Sequence, residues 1–136
     1  MNLNRDSSDF VVLDRLSCLE RLAQNRVATV AITDGALPMV LPVLYLLRGE
    51  DILVGAAASG VLGRRMPNNV VSLCVHDLGE NLAYGWTVTV TGLAELIASP
   101  AQMVDSEAFP QWGSGGSEQI LVRIGTDRIS GRQIQL

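Results

Sequence analysis

YGWTVTVTGLAELI, residues 84–97, carries the reading of the fold. Thr87, Thr89 and Thr91 alternate with Trp86, Val88 and Val90, which is the two-residue period of a strand with one buried face. The stretch is rich in β-branched residues, which suit a pleated, half-buried surface. Gly92 interrupts it and is placed to bend a strand too long to stay straight in a barrel.

On the N-terminal side, Val27 to Thr33 alternates in the same way, with Ala28, Val30 and Ile32 on one face. Asp34-Gly35 follows as a tight-turn dipeptide, because glycine accepts the positive φ such turns require. Leu37 to Leu47 is a second strand, apolar on both faces. Pro38 and Pro42 within it cannot donate to a ladder, so they mark an edge or a bulge. Arg48-Gly49-Glu50-Asp51 turns the chain into a third strand, Ile52 to Ala56. Ala57 to Met66 reads as a short glycine-containing helix ended by Pro67-Asn68-Asn69, and Val70 to His76 is a fourth strand.

At the two ends the signals are shorter. Residues 1–9 form a polar tail, and Phe10 to Leu13 is a brief apolar stretch. Ser17-Cys18-Leu19-Glu20 fits a capping box, with a helix over about 18–24. Beyond residue 97, Ser99-Pro100 predicts a helix to about Ala108. QWGSGGS (111–117) reads as a glycine-serine loop holding Trp112. Ile120–Ile124 and Ile129–Leu136 are the last two strands.

The sum is a single domain spanning 1–136: six or seven strands and two or three short helices. The connections are too short for parallel βαβ crossovers. An antiparallel barrel fits instead, because closure removes exposed edges. Apolar residues make up 48% of the chain, more than one copy of this size easily hides, which points to a subunit interface. The net charge is −4 and every basic residue is arginine. An acidic chain with no basic run argues against nucleic acid as a partner. No stretch approaches the roughly 18 apolar residues of a membrane span, and the polar N-terminus has no signal-peptide core. The expected location is the cytoplasm, where Cys18 and Cys74 would be reduced core thiols.

Five segments, taken in order, resemble the actinobacterial-type pyridoxamine 5′-phosphate oxidase-like family of FMN-binding split β-barrels. They are LDRLSCLERLA (13–23), DGALPMVLPVLY (34–45) with its P-x-V-x-P-V pattern, NNVVSLCVHD (68–77), YGWTVTVTGLAELI (84–97) and VRIGTDRISGRQI (122–134). The resemblance implies a Greek-key split barrel that forms a homodimer and binds FMN in grooves between subunits, with the deazaflavin F420 or haem as alternatives in some relatives. It implies a flavin- or deazaflavin-dependent oxidoreductase acting on a small-molecule substrate. One departure stands out. FMN-binding relatives carry F-R-T-x-x-G-x-K at the third strand and following turn, where this chain reads Val54-Gly55-Ala56-Ala57-Ala58-Ser59-Gly60-Val61. The groups that would hold a phosphate are missing at 55, 56 and 61. That opens a second possibility, a non-catalytic barrel that binds another small ligand or serves as a scaffold.

The candidate cofactor residues follow. Pro38, Met39 and Val40 would set backbone groups along an isoalloxazine edge. Ala56, Ala57 and Ser59 occupy the phosphate-loop positions. Arg64 and Arg65, the only adjacent basic pair, could grip a phosphate bidentately. Trp86 and Trp112 could pack on a flavin, and Arg132 would lie near the groove. Each also has a structural alternative: core, solvated helix face, loop staple or ion pair. His76 is the only histidine, so a histidine-based metal site is excluded. His76-Asp77 is an acid–base candidate or a strand-end hydrogen-bonding pair. No catalytic residue and no metal ligand is assigned.

Overall fold

The structure is a computed structural model that describes residues 10–80, 84–97 and 119–135. Its elements are β1 (Phe10–Leu13), α1 (Arg15–Ala23), β2 (Val27–Asp34), β3 (Leu37–Arg48), β4 (Asp51–Ala57), α2 (Val61–Arg65), β5 (Val70–Leu78), β6 (Tyr84–Leu96), β7 (Gln119–Gly125) and β8 (Arg128–Gln135). All pairings are antiparallel, in the order β1-β8-β6-β5-β2-β3-β4-β7, and a β6–β7 pairing closes β6, β5, β2, β3, β4 and β7 into a ring. The expected antiparallel split barrel is what forms. The ring has six strands, within the expected six or seven; β8 continues beside β6, and Phe10–Leu13 adds a strand that the sequence reading did not assign, registered on β8 from Phe10↔Ile134 to Leu13↔Gly131.

Two strands change partners along their length, and this splits the barrel. β6 pairs with β8 over Tyr84–Thr91 and with β7 over Ala94–Leu96. Gly92 sits at the hand-over, where a Cβ would come within 3.3 Å of the Gly125 carbonyl. β3 pairs with β2 over Leu37–Leu44 and with β4 only over Tyr45–Arg48. The Tyr45 amide donates to the Arg26 carbonyl at 2.9 Å, so odd-numbered amides of β3 point toward β2 and even-numbered positions point away. Pro38 and Pro42 therefore sit where no donor is needed, on the side with a single partner.

Both hairpin turns follow the sequence: Gly35 (φ 66°) closes Asp34↔Leu37 and Gly49 (φ 63°) closes Arg48↔Asp51. The inner faces of the strands supply the core. Val30, Val54, Leu73, Val88, Val90, Val122 and Ile124 are fully buried. α1 packs across one end with Cys18 and Leu22 buried, and the buried Tyr45 hydroxyl donates to the Leu22 carbonyl at 2.7 Å. Burial pushes the Tyr45 phenol well above its ordinary pKa.

Several expectations need correcting. The cap of α1 is Asp14, whose carboxylate accepts from the Ser17 amide at 2.8 Å, so the helix starts at Arg15 and no Ser17–Glu20 box forms. The 57–66 segment is helical only over Val61–Arg65; Ala57 to Gly60 is a turn closed by the Gly60 amide on the Ala57 carbonyl. Cys18 is buried as expected, but Cys74 is half-buried on the outer face of β5, beside the Thr87 hydroxyl at 3.3 Å. The helix expected after Ser99 and the loop with Trp112 lie outside the described residues.

Candidate functional site

Where β4 leaves β3 beyond Tyr45↔Val54, the two strands diverge and α2 fills one side of the gap. The result is a wedge-shaped cavity of about 330 Å³ lined by Leu41, Pro42, Val43 and Leu44 of β3, Gly55, Ala56 and Ala57 of β4, Gly60, Val61 and Leu62, and Gln119 at the start of β7. Its size is at the lower end for small-ligand pockets, and such pockets are mostly apolar with a few placed polar groups. Among the described lining residues the polar side chain is that of Gln119. Its side-chain nitrogen Nε2 is buried with no hydrogen-bond partner, and a buried donor left unpaired is costly.

Gly63 fixes one wall of the wedge. A Cβ there would lie 2.8 Å from both the Cα and the carbonyl oxygen of Ala58. Only glycine lets α2 sit this close to the turn behind it.

The candidates divide around this cavity. Ala56 and Ala57 line it. Pro38, Met39 and Val40 lie just upstream on the same single-partnered half of β3. Ser59 is exposed in the turn and is not among the lining residues. Arg65 is held by Asp34, Nε to Oδ1 at 2.7 Å. Arg64 is exposed, with its Nε on the Gly60 carbonyl at 3.3 Å. Trp86 faces the barrel interior, half-buried, with the Arg21 guanidinium 5.7 Å from its ring centroid, so it clamps α1. Arg132 is exposed on the outer face, between Thr87 and Val12. His76 and Asp77 are consecutive strand residues and point to opposite faces, which rules out a joined acid–base pair. The wall from Leu41 to Leu44, and Gln119 with it, escaped the sequence reading. Its only trace there was the apolar character of Gly55 and Val61 at positions expected to be charged.

A second cleft, of about 280 Å³, lies at the other end of β4. Arg15 bonds Glu50 at 2.9 Å and the Thr126 carbonyl at 2.6 Å, and Arg123 contacts Glu95 at 3.2 Å and Asp51 at 4.0 Å. Among the described residues no cluster suited to a metal ion occurs.

The family model described as pyridoxamine 5′-phosphate oxidase matches residues 14–133. The chain belongs to this family. Comparison with curated protein sequences gives no match. Solved structures of family-like fold are numerous. A FAD-binding protein from Mesorhizobium loti matches with a TM-score of 0.75 at 22% identity, covering 93% of this chain and 98% of that one. A FAD-binding protein from Mycobacterium smegmatis matches with a TM-score of 0.73 at 19% identity, covering 93% and 99%. A FAD- and haem-binding protein from the same organism matches with a TM-score of 0.70 at 13% identity, covering 93% and 73%. At these identities the likeness establishes the fold of this pyridoxamine 5′-phosphate oxidase family member. Among the described residues, no helix is long and apolar enough to cross a membrane.

Proposed function

We propose that this family member is a homodimeric, cytoplasmic flavin- or deazaflavin-binding protein that seats the cofactor ring in the β3–β4 wedge and exchanges electrons with a small organic substrate. The observation that carries the reading is the wedge itself: a cavity of about 330 Å³ with no charged group among its described lining residues. Flavin-binding structures of the same fold support it. Haem is disfavoured, because the described lining contains no histidine, cysteine, methionine or tyrosine to ligate iron. A bound flavin would supply the redox chemistry, and this chain would orient the ring and exclude water from it.

The second copy in this reading covers the outer sheet face. Over Val27–Thr33, Pro38–Leu44, Val70–His76 and Thr87–Leu93 the positions that alternate with the core carry no Asp, Glu or Arg, and charge returns further along the same strands at Arg48 and Glu95; depletion of charge is the compositional mark of an interface core. Val27, Val40, Val70 and Leu93 are each about half exposed or more in one chain.

Freshly purified protein should run as a dimer in light scattering and quench flavin fluorescence on titration with FMN, FAD or riboflavin, or bind F420. A colourless dimer that binds none of them favours the alternative, a non-catalytic ligand-binding barrel. The uncharged wedge is the observation behind that alternative.

A further inference from the structure

We infer that the cation missing from the wedge is supplied in trans: Arg128 of the partner subunit, with Arg132 further along the same strand face, holds the flavin's phosphate at the mouth of the cavity. This inference rests on the reading above, in which a flavin binds at the wedge of a homodimer. A phosphate dianion needs charge-assisted donors when it leaves water, and none of the described lining residues is charged. Arg65, on the helix beside the cavity, is tied to Asp34 at 2.7 Å.

The placement follows from the register. On the outer face of the sheet, one row of paired residues runs Arg128–Thr91–Ser72–Ala31–Val40, and the next runs from Ser130 through Thr89, Cys74 and Thr29 to Pro42. β8 therefore bounds this face on one side and β3 on the other, with β5 midway in the order β8-β6-β5-β2-β3. Arg128 and Arg132 are exposed on the β8 flank. The β3 flank carries the wall of the wedge, from Leu41 to Leu44. Between the flanks both rows hold small uncharged side chains. The Ser72 and Thr91 hydroxyls bond each other at 2.8 Å, so the middle of the face needs no polar partner.

Two copies of one face meet through a two-fold axis. An axis running across the strands would lay each β8 on its mate and set Arg128 and Arg132 against the same residues of the other copy. Like charges facing each other in an interface are strongly disfavoured. An axis running along β5 exchanges the flanks instead. The partner's β8 then lies over β3, with the partner's Arg128 in the row of Val40 and the partner's Arg132 toward Leu44. There a guanidinium can grip a phosphate through two parallel bonds, and the basic flank of one copy finds its counter-charge in the ligand of the other.

The test is a set of fluorescence titrations with FMN and riboflavin on the dimer. The wild type should bind FMN at least about tenfold tighter than riboflavin, the difference that charge-assisted bonds to the phosphate make. Arg128→Gln should remove most of that preference, with riboflavin affinity and the dimer kept. The deciding arm mixes Arg128→Gln with Ala57→Phe. Each homodimer lacks a tight FMN site, one for want of the cation and the other because its cavity is filled. In the mixed dimer the open cavity of one copy meets the intact Arg128 of the other, so one tight FMN site per dimer should reappear. Mixed dimers without a tight site overturn the inference and leave the flavin reading standing. So do an Arg128→Gln protein that binds FMN like the wild type or fails to dimerise, and a wild type that binds FMN and riboflavin equally. Loss of the FMN preference in Arg64→Gln in place of Arg128→Gln would put the anchor on the same chain and overturn it as well. Failure of every flavin to bind, or a tight site in the Ala57→Phe homodimer, overturns both.

Discussion

At the start of β4, the cleft around Asp51 gathers Arg15, Arg123 and four carboxylates; at the far end of the same strand, the wedge around Gly55–Ala57 has no charge among its described lining residues. The difference lies in how each end is held closed. At the charged end, Thr126 is 2% exposed; its hydroxyl donates to the Glu50 carbonyl at 2.7 Å and accepts from Arg15 at 2.9 Å. There the arginines act as fasteners of the fold. At the apolar end, glycines and alanines keep the walls thin, and the ladder between β3 and β4 is left open. Polar groups that are mutually satisfied rigidify a structure, whereas an open apolar gap is a place for something else to bind.

Disturbing the apolar wall should have the largest effect. Gly63→Ala puts a Cβ against the Ala58 backbone, where neither atom can rotate away. We expect a stability loss of about 1–3 kcal/mol, read as a lower melting temperature, together with loss of flavin binding as α2 lifts off. Retained affinity would mean that α2 is not a wall of the site.

Thr126→Val attacks the charged end and should separate the two regions. It leaves the part-buried Arg15 and Glu50 carbonyl contacts without their hydroxyl, at about 1 kcal/mol. The melting temperature should fall while flavin affinity of the folded protein stays at the wild-type value. A parallel loss of affinity would show that the two ends of β4 are coupled.

The smallest effect concerns the cap of α1, beside the charged end. The backbone amide of Ser17 holds the Asp14 carboxyl below its ordinary value of 3.8. A depressed folded pKa means that the cap's contribution is complete above 3.8 and is lost as pH falls through the lower folded value. The melting-temperature gap between wild type and Asp14→Ala should therefore close on acidification through this range. Asp14→Asn, which caps without ionising, should show no such pH dependence of its cap.

Much of this architecture is legible in the sequence because alternation is a local signal. The Thr-Val-Thr-Val run at 87–90, the Asp34-Gly35 turn and the two prolines of β3 each fix a strand, a hairpin or an edge without help from distant residues. The four-residue β1 was missed because it alternates too briefly and depends on β8, more than 110 positions away, for its register. The α1 cap was misplaced because Asp14 and Ser17 are both good caps, and which one serves is settled by where β1 delivers the chain. The site was legible only in part. Ala56 and Ala57 follow from the phosphate-loop stretch that the resemblance marks, where Ala56 stands at the expected threonine. Gln119 was missed, because it reaches the wedge through the β4–β7 ladder, at Ala57↔Gln119, and a lone glutamine carries no pattern of its own. Arg65 looked available in the sequence because its partner, Asp34, lies across the β2–α2 contact.

The central claim is that the flavin ring sits between β3 and β4, and it can be tested by filling that gap. Ala57→Phe places a ring of the protein's own inside the wedge, on a half-buried position that the core does not use. Riboflavin titration of this variant is the deciding measurement. The account predicts at least a tenfold loss of affinity in a protein that still folds and dimerises; wild-type affinity in the filled variant would contradict it.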